Sequence, residues 1–238
     1  VVEGPELLAV ALDAGAPVEA VFVAPGGLDV GSVAAVVRSA HDAGARVFDL
    51  APGVIERVAG TVTPQPTLAV VEFVPATLGE VTGASMVLVC IDVRDPGNAG
   101  TVIRTADAAG VDAVICCDGT VDPGNPKTVR SSAGSVFHVP IVQGGGAEPT
   151  LHALGQAGFT TVGTAVRGGT DYVGADWSTR TALVLGNEAS GVPASVLATL
   201  DRVVSIPMAG RAESLNVGVA AAVLCFEALR QRRDGTPR

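Results

Sequence analysis

"MVLVCIDVRDPGNAGTVIRTADAAGVDAVICC", residues Met86 to Cys117, decides the fold. Its opening run, Met86 to Asp92, is apolar and rich in valine without polar alternation, which predicts a strand buried on both faces. Pro96 and Gly97 then turn the chain, and Asn98 is placed to cap a helix running to Gly110. Ala99, Val102, Ile103 and Ala106 make the apolar stripe of that helix. "AVICC" returns as a second strand. A buried strand, a helix and a second buried strand predict two parallel strands joined by a crossover.

The same alternation extends in both directions. Downstream, a helix is expected near 126–134, strands at 137–142, 160–165, 181–186 and 203–207, and helices at 150–158 and 214–233. Val217, Val219 and Leu224 mark the last helix as buried, with Ser214 as its cap and Asn216 in its first turn. The tail from Arg230 to Arg238 is expected to fray. Upstream, helices are expected at 5–14, 30–44 and 52–60, the last begun by Pro52, with strands at 18–24, 46–50 and 67–73. Pro, Gly and Thr between Val74 and Ala84 mark a connection between two units. The predicted class is α/β: a mostly parallel sheet covered by helices, preceded by a small α/β unit. Ligands of such sheets collect at the carboxyl ends of the strands.

Composition narrows the function classes. No apolar segment of the 238 residues approaches the roughly 18 residues of a membrane span, and no charged start precedes an apolar leader. A cytoplasmic protein is expected. The four cysteines, Cys90, Cys116, Cys117 and Cys225, sit in apolar runs and read as small buried hydrophobes in a reducing compartment. His41, His138 and His152 lack partners at ligand spacing, so no metal is expected. The net charge of −9 opposes a nucleic-acid partner at first sight. Its distribution tempers that, since residues 1–77 hold nine acidic and three basic residues whereas 78–238 hold fifteen and twelve.

Three loops carry polar residues where the sheet places ligands. The first, Asp92 to Gly110, offers Asn98 and Arg104; Arg104 lies off the apolar stripe, and helical side chains lean toward the N-terminus. Taken alone, Arg104 also fits an ordinary solvated helix residue. The second, "LVLGNEASGVP" (183–193), runs a strand into Gly186, Glu188 and Gly191, a turn that lets a ligand lie against backbone, or simply a turn with a solvated glutamate. The third, "SIPMAGRAESLNVGVAAAVL" (205–224), gathers Arg211, Glu213, Ser214 and Asn216 before an apolar helix, and polar groups near a core need partners. Gly97-Asn-Ala-Gly100 lacks the third glycine of the dinucleotide fingerprint, which argues against an oxidoreductase.

In order and spacing, these three stretches resemble the motifs of the SpoU (TrmH-type) family, RNA ribose 2′-O-methyltransferases of the SPOUT superfamily that use S-adenosylmethionine. The resemblance covers about 86–232, and residues 1–75 resemble, less specifically, the L30e-like substrate-binding domain of many members. It implies an L30e-like RNA-binding domain at 1–75, a linker at 76–85 and a methyltransferase domain at 86–238. It also implies a C-terminal trefoil knot and a homodimer. By motif position, Asn98, Arg104, Glu188, Ser214 and Asn216 fall on the catalytic set, and Thr164, Gly186, Ile206, Met208 and Leu215 on the cofactor site. One departure stands out: many members read SLNVS where this chain has Gly218, which is therefore left out of the site. The implied substrate is structured RNA, with ribosomal RNA favoured by analogy with L30e. The alternatives are methylation of tRNA ribose, or a non-catalytic RNA-binding or assembly factor of the same fold.

Overall fold

Two sheets account for the strands of residues 1–234, the part of the chain that the computed structural model describes. The first unit runs β1 (Val2–Glu3), α1 (Pro5–Asp13), β2 (Val18–Val23), α2 (Gly31–Asp42), β3 (Arg46–Asp49), α3 (Ile55–Val58) and β4 (Thr67–Val71). Its sheet has the order β1-β4-β2-β3, with β4 antiparallel to both neighbours and β2 parallel to β3. α4 (Leu78–Val81) then leads into β5 (Met86–Cys90), α5 (Pro96–Ala109), β6 (Ala113–Cys116), α6 (Pro126–Ser131), β7 (Ile141–Gln143) and α7 (Ala147–Gln156). The chain continues through β8 (Thr160–Thr164), β9 (Thr170–Asp171), β10 (Thr181–Leu185), α8 (Ala194–Leu197), β11 (Arg202–Ser205) and α9 (Val217–Asp234).

The second sheet is wholly parallel, in the order β7-β6-β5-β10-β8-β11-β9. Its central strands are buried on both faces, and alternate residues feed different cores. Met86, Leu88 and Cys90 of β5 join Val102, Ile103 and Ala106 of α5 and Leu224 of α9. Val87 and Val89, with Ile91 just beyond the strand, join Val81 of α4, Leu151 and Leu154 of α7 and Val196 of α8. The strands β5, β6 and β7 run outward in sequence, after which β10 returns beside β5; the order reverses between β5 and β10. Crevices at the carboxyl ends of strands open at such a reversal.

The segment between the sheets is ordered. Ala76 donates its N–H to Ile141, Thr77 and Glu80 form a capping box, and Val81 is buried.

Several boundaries differ from the sequence reading. α5 starts two residues early, and Asp95, not Asn98, is its cap: the Asp95 carboxylate accepts the Asn98 N–H at 2.9 Å. α9 starts at Val217, so Ser214 lies outside it and Asn216 is the cap, its Oδ1 accepting from Gly218 N–H at 2.8 Å. Each pair offers two good capping side chains within three residues, and only tertiary context chooses between them. α3 is a single turn rather than 52–60, β7 begins at Ile141 rather than 137 because Ser135–Phe137 forms a 3-10 turn, and β1 and β9 have too few residues to show a pattern. Val219 is exposed, whereas Leu224 is buried. The expected fraying fails for the first part of the tail: the Gln231 side chain accepts the Trp177 N–H and Arg232 donates to the Trp177 and Thr179 carbonyls. Residues 235–238 of that expectation lie outside the described residues.

Candidate active site

The carboxyl ends of β8, β10 and β11 open into one cavity. Thr164 ends β8, Gly186 follows β10, and Ile206, Met208 and Leu215 belong to the segment from β11 to α9; all five line it. Glu188, Glu213 and Ser214 line it as well. Its walls combine apolar residues such as Leu185, Val204 and Ile206 with the glycine-bounded loop Gly186–Gly191. At Gly186 the chain passes so close to the end of its own loop that a Cβ would lie 2.2 Å from Gly191 C and Val192 N, so only glycine fits. A larger cavity of about 520 Å³ lies where β1, the 61–65 loop and α6 meet, and none of the three motif loops reaches it. Size alone would have pointed away from the motif loops.

A chain of hydrogen bonds joins the three loops beside the cavity. The Glu188 carboxylate accepts the backbone N–H groups of Arg94 at 3.3 Å and Asp95 at 3.0 Å, and the Asn98 amide at 3.0 Å. Asn98 Oδ1 accepts the Asn216 amide at 2.7 Å, and Asn216 Oδ1 caps α9. Because Asp95 takes over the capping of α5, the Asn98 side chain is free to bridge the second loop to the third. Burial works against the charge of Glu188, but the Asn98 amide and the backbone N–H donors outweigh it and hold its carboxyl below the usual carboxylate range.

Arg104 is placed differently from the rest. It lies two turns along α5, exposed, and makes no hydrogen bond or ion pair among the described residues. Arg211, Glu213, Ser214 and Asn216 are exposed too, on a strap over the cavity rather than at the edge of the core that the sequence reading expected. Sequence reasoning missed Asp95 and the cavity residue Asn187; the adjoining Gly186 and Glu188 were the available signal for Asn187.

Gly218 has a local explanation. A Cβ there would sit 2.6 Å from Thr101 Cγ2 and 2.9 Å from Thr101 Cβ, so the threonine of α5 fills the space a serine at 218 would need. Gly218→Ser is expected to cost about 1–3 kcal/mol through overpacking, and Thr101→Ala in the same chain to recover part of it, since it removes Cγ2 but leaves the Cβ at 2.9 Å. Thermal unfolding of the single and double variants tests this; equal losses in both would show that the clash is not the cause.

The four cysteines are free and buried, and burial pushes the thiols of Cys117 and Cys225 up to about 11 and about 12, leaving them unreactive. Among the described residues no group of three His, Cys, Asp or Glu side chains is placed to hold a metal, and no helix is long and apolar enough to cross a membrane.

A wholly parallel sheet with a partly apolar cavity at the carboxyl ends of β8, β10 and β11, beside the hydrogen-bonded set of Asn98, Glu188 and Asn216, defines a small-molecule site within an α/β enzyme fold. Residues 85–226 match the SpoU rRNA Methylase family, and the chain belongs to it. It is 38% identical over 190 residues to the 23S rRNA (guanosine(2553)-2′-O)-methyltransferase RlmP of Bacillus subtilis, covering 80% of this chain and 75% of that one. It is 36% identical over 202 residues to the 23S rRNA (guanosine-2′-O-)-methyltransferase RlmB of Ralstonia nicotianae, covering 82% and 81%. The crystal structure of an AdoMet-bound rRNA methyltransferase from Sinorhizobium meliloti superposes with a TM-score of 0.83 at 33% identity, covering 99% of this chain and 87% of that one.

Proposed function

We propose that this protein is an S-adenosylmethionine-dependent methyltransferase that modifies a ribose 2′-OH in ribosomal RNA. The observation that carries the reading is the Glu188–Asn98–Asn216 hydrogen-bond chain tying three loops together beside one cavity, which Glu188 lines. The cavity suits the cofactor: Leu185, Val204, Ile206 and Leu215 offer apolar walls for an adenine, and the Gly186–Gly191 backbone offers donors and acceptors for polar edges. Thr164, Gly186, Ile206, Met208 and Leu215 would hold it. S-adenosylmethionine supplies an electrophilic methyl group on a sulfonium.

The protein's own task is to bring a poor nucleophile into line and to favour loss of its proton. A guanidinium is no general base near neutral pH, so Arg104 acts otherwise. Free of any intramolecular partner among the described residues, it clamps the phosphate beside the target ribose and stabilises negative charge developing on the 2′ oxygen. Asn98, Asn216 and Ser214 orient the ribose, while Glu188 holds the loops. The assignment to ribosomal RNA draws on the relatives' substrates, and it places the protein in the cytoplasm with that RNA. The acidic unit at 1–75 serves as an L30e-like RNA-binding domain, 76–85 as the linker and 86–238 as the catalytic domain with its trefoil knot. Val219 and Phe226, seven residues apart on α9 and both about half exposed, form an apolar face that a second copy covers in a homodimer.

The test is transfer of a labelled methyl group from S-adenosylmethionine to separate pools of unmodified ribosomal RNA and tRNA. Label in ribosomal RNA is expected. Label confined to tRNA would reassign the substrate, and no label in either pool together with no cofactor binding would favour the non-catalytic alternative.

A further inference from the structure

Asp92 leaves β5 with φ of +56°, a left-handed conformation that side chains with a Cβ adopt at a cost and glycine adopts freely. Of the described residues other than glycine, only Ala133 shares a positive φ. An aspartate kept in this conformation calls for a use of its carboxylate. That carboxylate accepts Arg94 Nε at 2.7 Å through Oδ1 and the Asn187 amide at 3.3 Å through Oδ2, and the Asp92 carbonyl accepts the same amide at 2.8 Å. Gly119, on the loop after β6, packs so closely that a Cβ there would lie 2.9 Å from Oδ1. Three loops therefore meet at Asp92.

The two arms lead to different parts of the site. Asn187 Oδ1 accepts the Ala189 and Ser190 N–H groups at 2.9 and 3.2 Å, while the backbones of Asn187 and Gly191 exchange hydrogen bonds of 3.1 and 2.8 Å. With its oxygen filled by two backbone donors and its nitrogen directed at two Asp92 oxygens, the amide has one satisfactory orientation. It folds the Gly186–Gly191 loop, one wall of the cavity, into its observed shape. Arg94 extends the other way. Its backbone N–H is bound to the cavity residue Glu188, and its side chain, 72% exposed, uses only Nε for Asp92. Both terminal nitrogens stay available to a phosphate, which takes a guanidinium in bidentate fashion.

We infer that Asp92 is a positioning residue shared by both substrates: through Asn187 it shapes the loop that binds the cofactor, and through Arg94 it holds a cation at the rim for an RNA phosphate. The inference rests on the proposed function, since it takes the cavity as the cofactor site and RNA as the substrate. Neither Asp92 nor Asn187 touches the reacting atoms, so their effects fall on binding rather than on the rate at saturation.

The experiment measures S-adenosylhomocysteine affinity by calorimetry and the KM for unmodified ribosomal RNA at several salt concentrations, on the full chain. Asn187→Ala is expected to weaken S-adenosylhomocysteine about tenfold, as loss of a part-buried amide's hydrogen bonds implies, and to leave the RNA KM unchanged. Arg94→Ala is expected to do the reverse, raising the RNA KM and flattening its salt dependence. Asp92→Gly, which tolerates the backbone conformation, moves both. Asp92→Asn keeps acceptors for the Asn187 amide but loses the charge that holds Arg94, so it moves the RNA KM alone; this variant guards against a glycine variant that fails to fold. Asn187→Ala with wild-type cofactor affinity, Arg94→Ala with a wild-type RNA KM, or Asn187→Ala and Arg94→Ala shifting the same parameter would each overturn the inference. Absence of S-adenosylhomocysteine binding by the wild-type protein would instead overturn the proposed function, and this inference with it.

Discussion

Arg104→Ala is expected to slow methyl transfer about 100- to 1,000-fold at saturating substrates, the loss typical of removing one donor to a developing oxyanion, while leaving S-adenosylhomocysteine affinity unchanged. The expectation follows from where the residue sits. Arg104 is exposed on α5, makes no hydrogen bond or ion pair among the described residues, and is not among the residues lining the cavity. Truncating such a side chain costs the fold little, so a loss of rate would not be a loss of structure. Arg104→Lys should recover only part of the rate, since an ammonium keeps the charge and loses the planar fork. Single-turnover transfer to ribosomal RNA, set beside calorimetry with S-adenosylhomocysteine, separates the two quantities. Near-normal transfer by Arg104→Ala would remove it from the site, and an equal loss of cofactor affinity would move its role to cofactor binding.

A second large effect is expected far from the cavity. Glu3 of β1 has a side chain only 6% exposed, and its carboxylate accepts from the Thr61 hydroxyl, from Gln65 N–H at 3.2 Å and from the Arg130 guanidinium of α6 at 3.0 Å. The first two donors belong to the same unit as Glu3, whereas Arg130 belongs to the parallel-sheet unit. Arg130→Ala leaves a buried carboxylate without its counter-charge, which costs about 3–5 kcal/mol for a fully buried pair. With the arginine 36% exposed, water reaches one side of the pair and the expected loss is about 2–3 kcal/mol. For a chain of this size that corresponds to a fall of roughly 4–12 °C in the unfolding midpoint. Adding Glu3→Gln should recover much of it, because a neutral amide no longer needs the guanidinium. Calorimetric unfolding of both variants decides the matter: an Arg130→Ala midpoint equal to wild type would mean that the pair contributes nothing to joining the units.

Much of this architecture was legible in local sequence. The unbroken apolar runs of β5, β6 and β10 predicted strands buried on both faces, and the stripe from Ala99 to Ala106 predicted α5. Both follow from periodicity, which short windows of sequence contain. Thr164, Gly186 and Ile206 adjoin strand ends, where a parallel sheet collects ligands, whereas Arg104 and Asn216 lie further along the chain and were singled out by the family resemblance. Caps were less legible: Asp95 against Asn98, and Ser214 against Asn216, are choices between side chains that cap equally well in isolation.

By itself, then, the sequence determined most of the strands and helices, though not the short β1, α4, β9 and α8, most of the apolar faces, and which loops carry the polar residues that family membership now frames. Only the tertiary structure decided that β10 lies between β5 and β8, which brings loops separated by more than ninety residues into hydrogen-bond contact beside one cavity. It also decided that Asn98 bridges Glu188 to Asn216 instead of capping its own helix, that Asp92 adopts a left-handed conformation to hold Asn187 and Arg94, and that Glu3 finds Arg130 127 residues away. The reason is physical. Hydrophobic periodicity and capping act within a few residues, whereas strand order and the pairing of buried polar groups are set by how distant surfaces close on one another, and no local window of the chain contains that information.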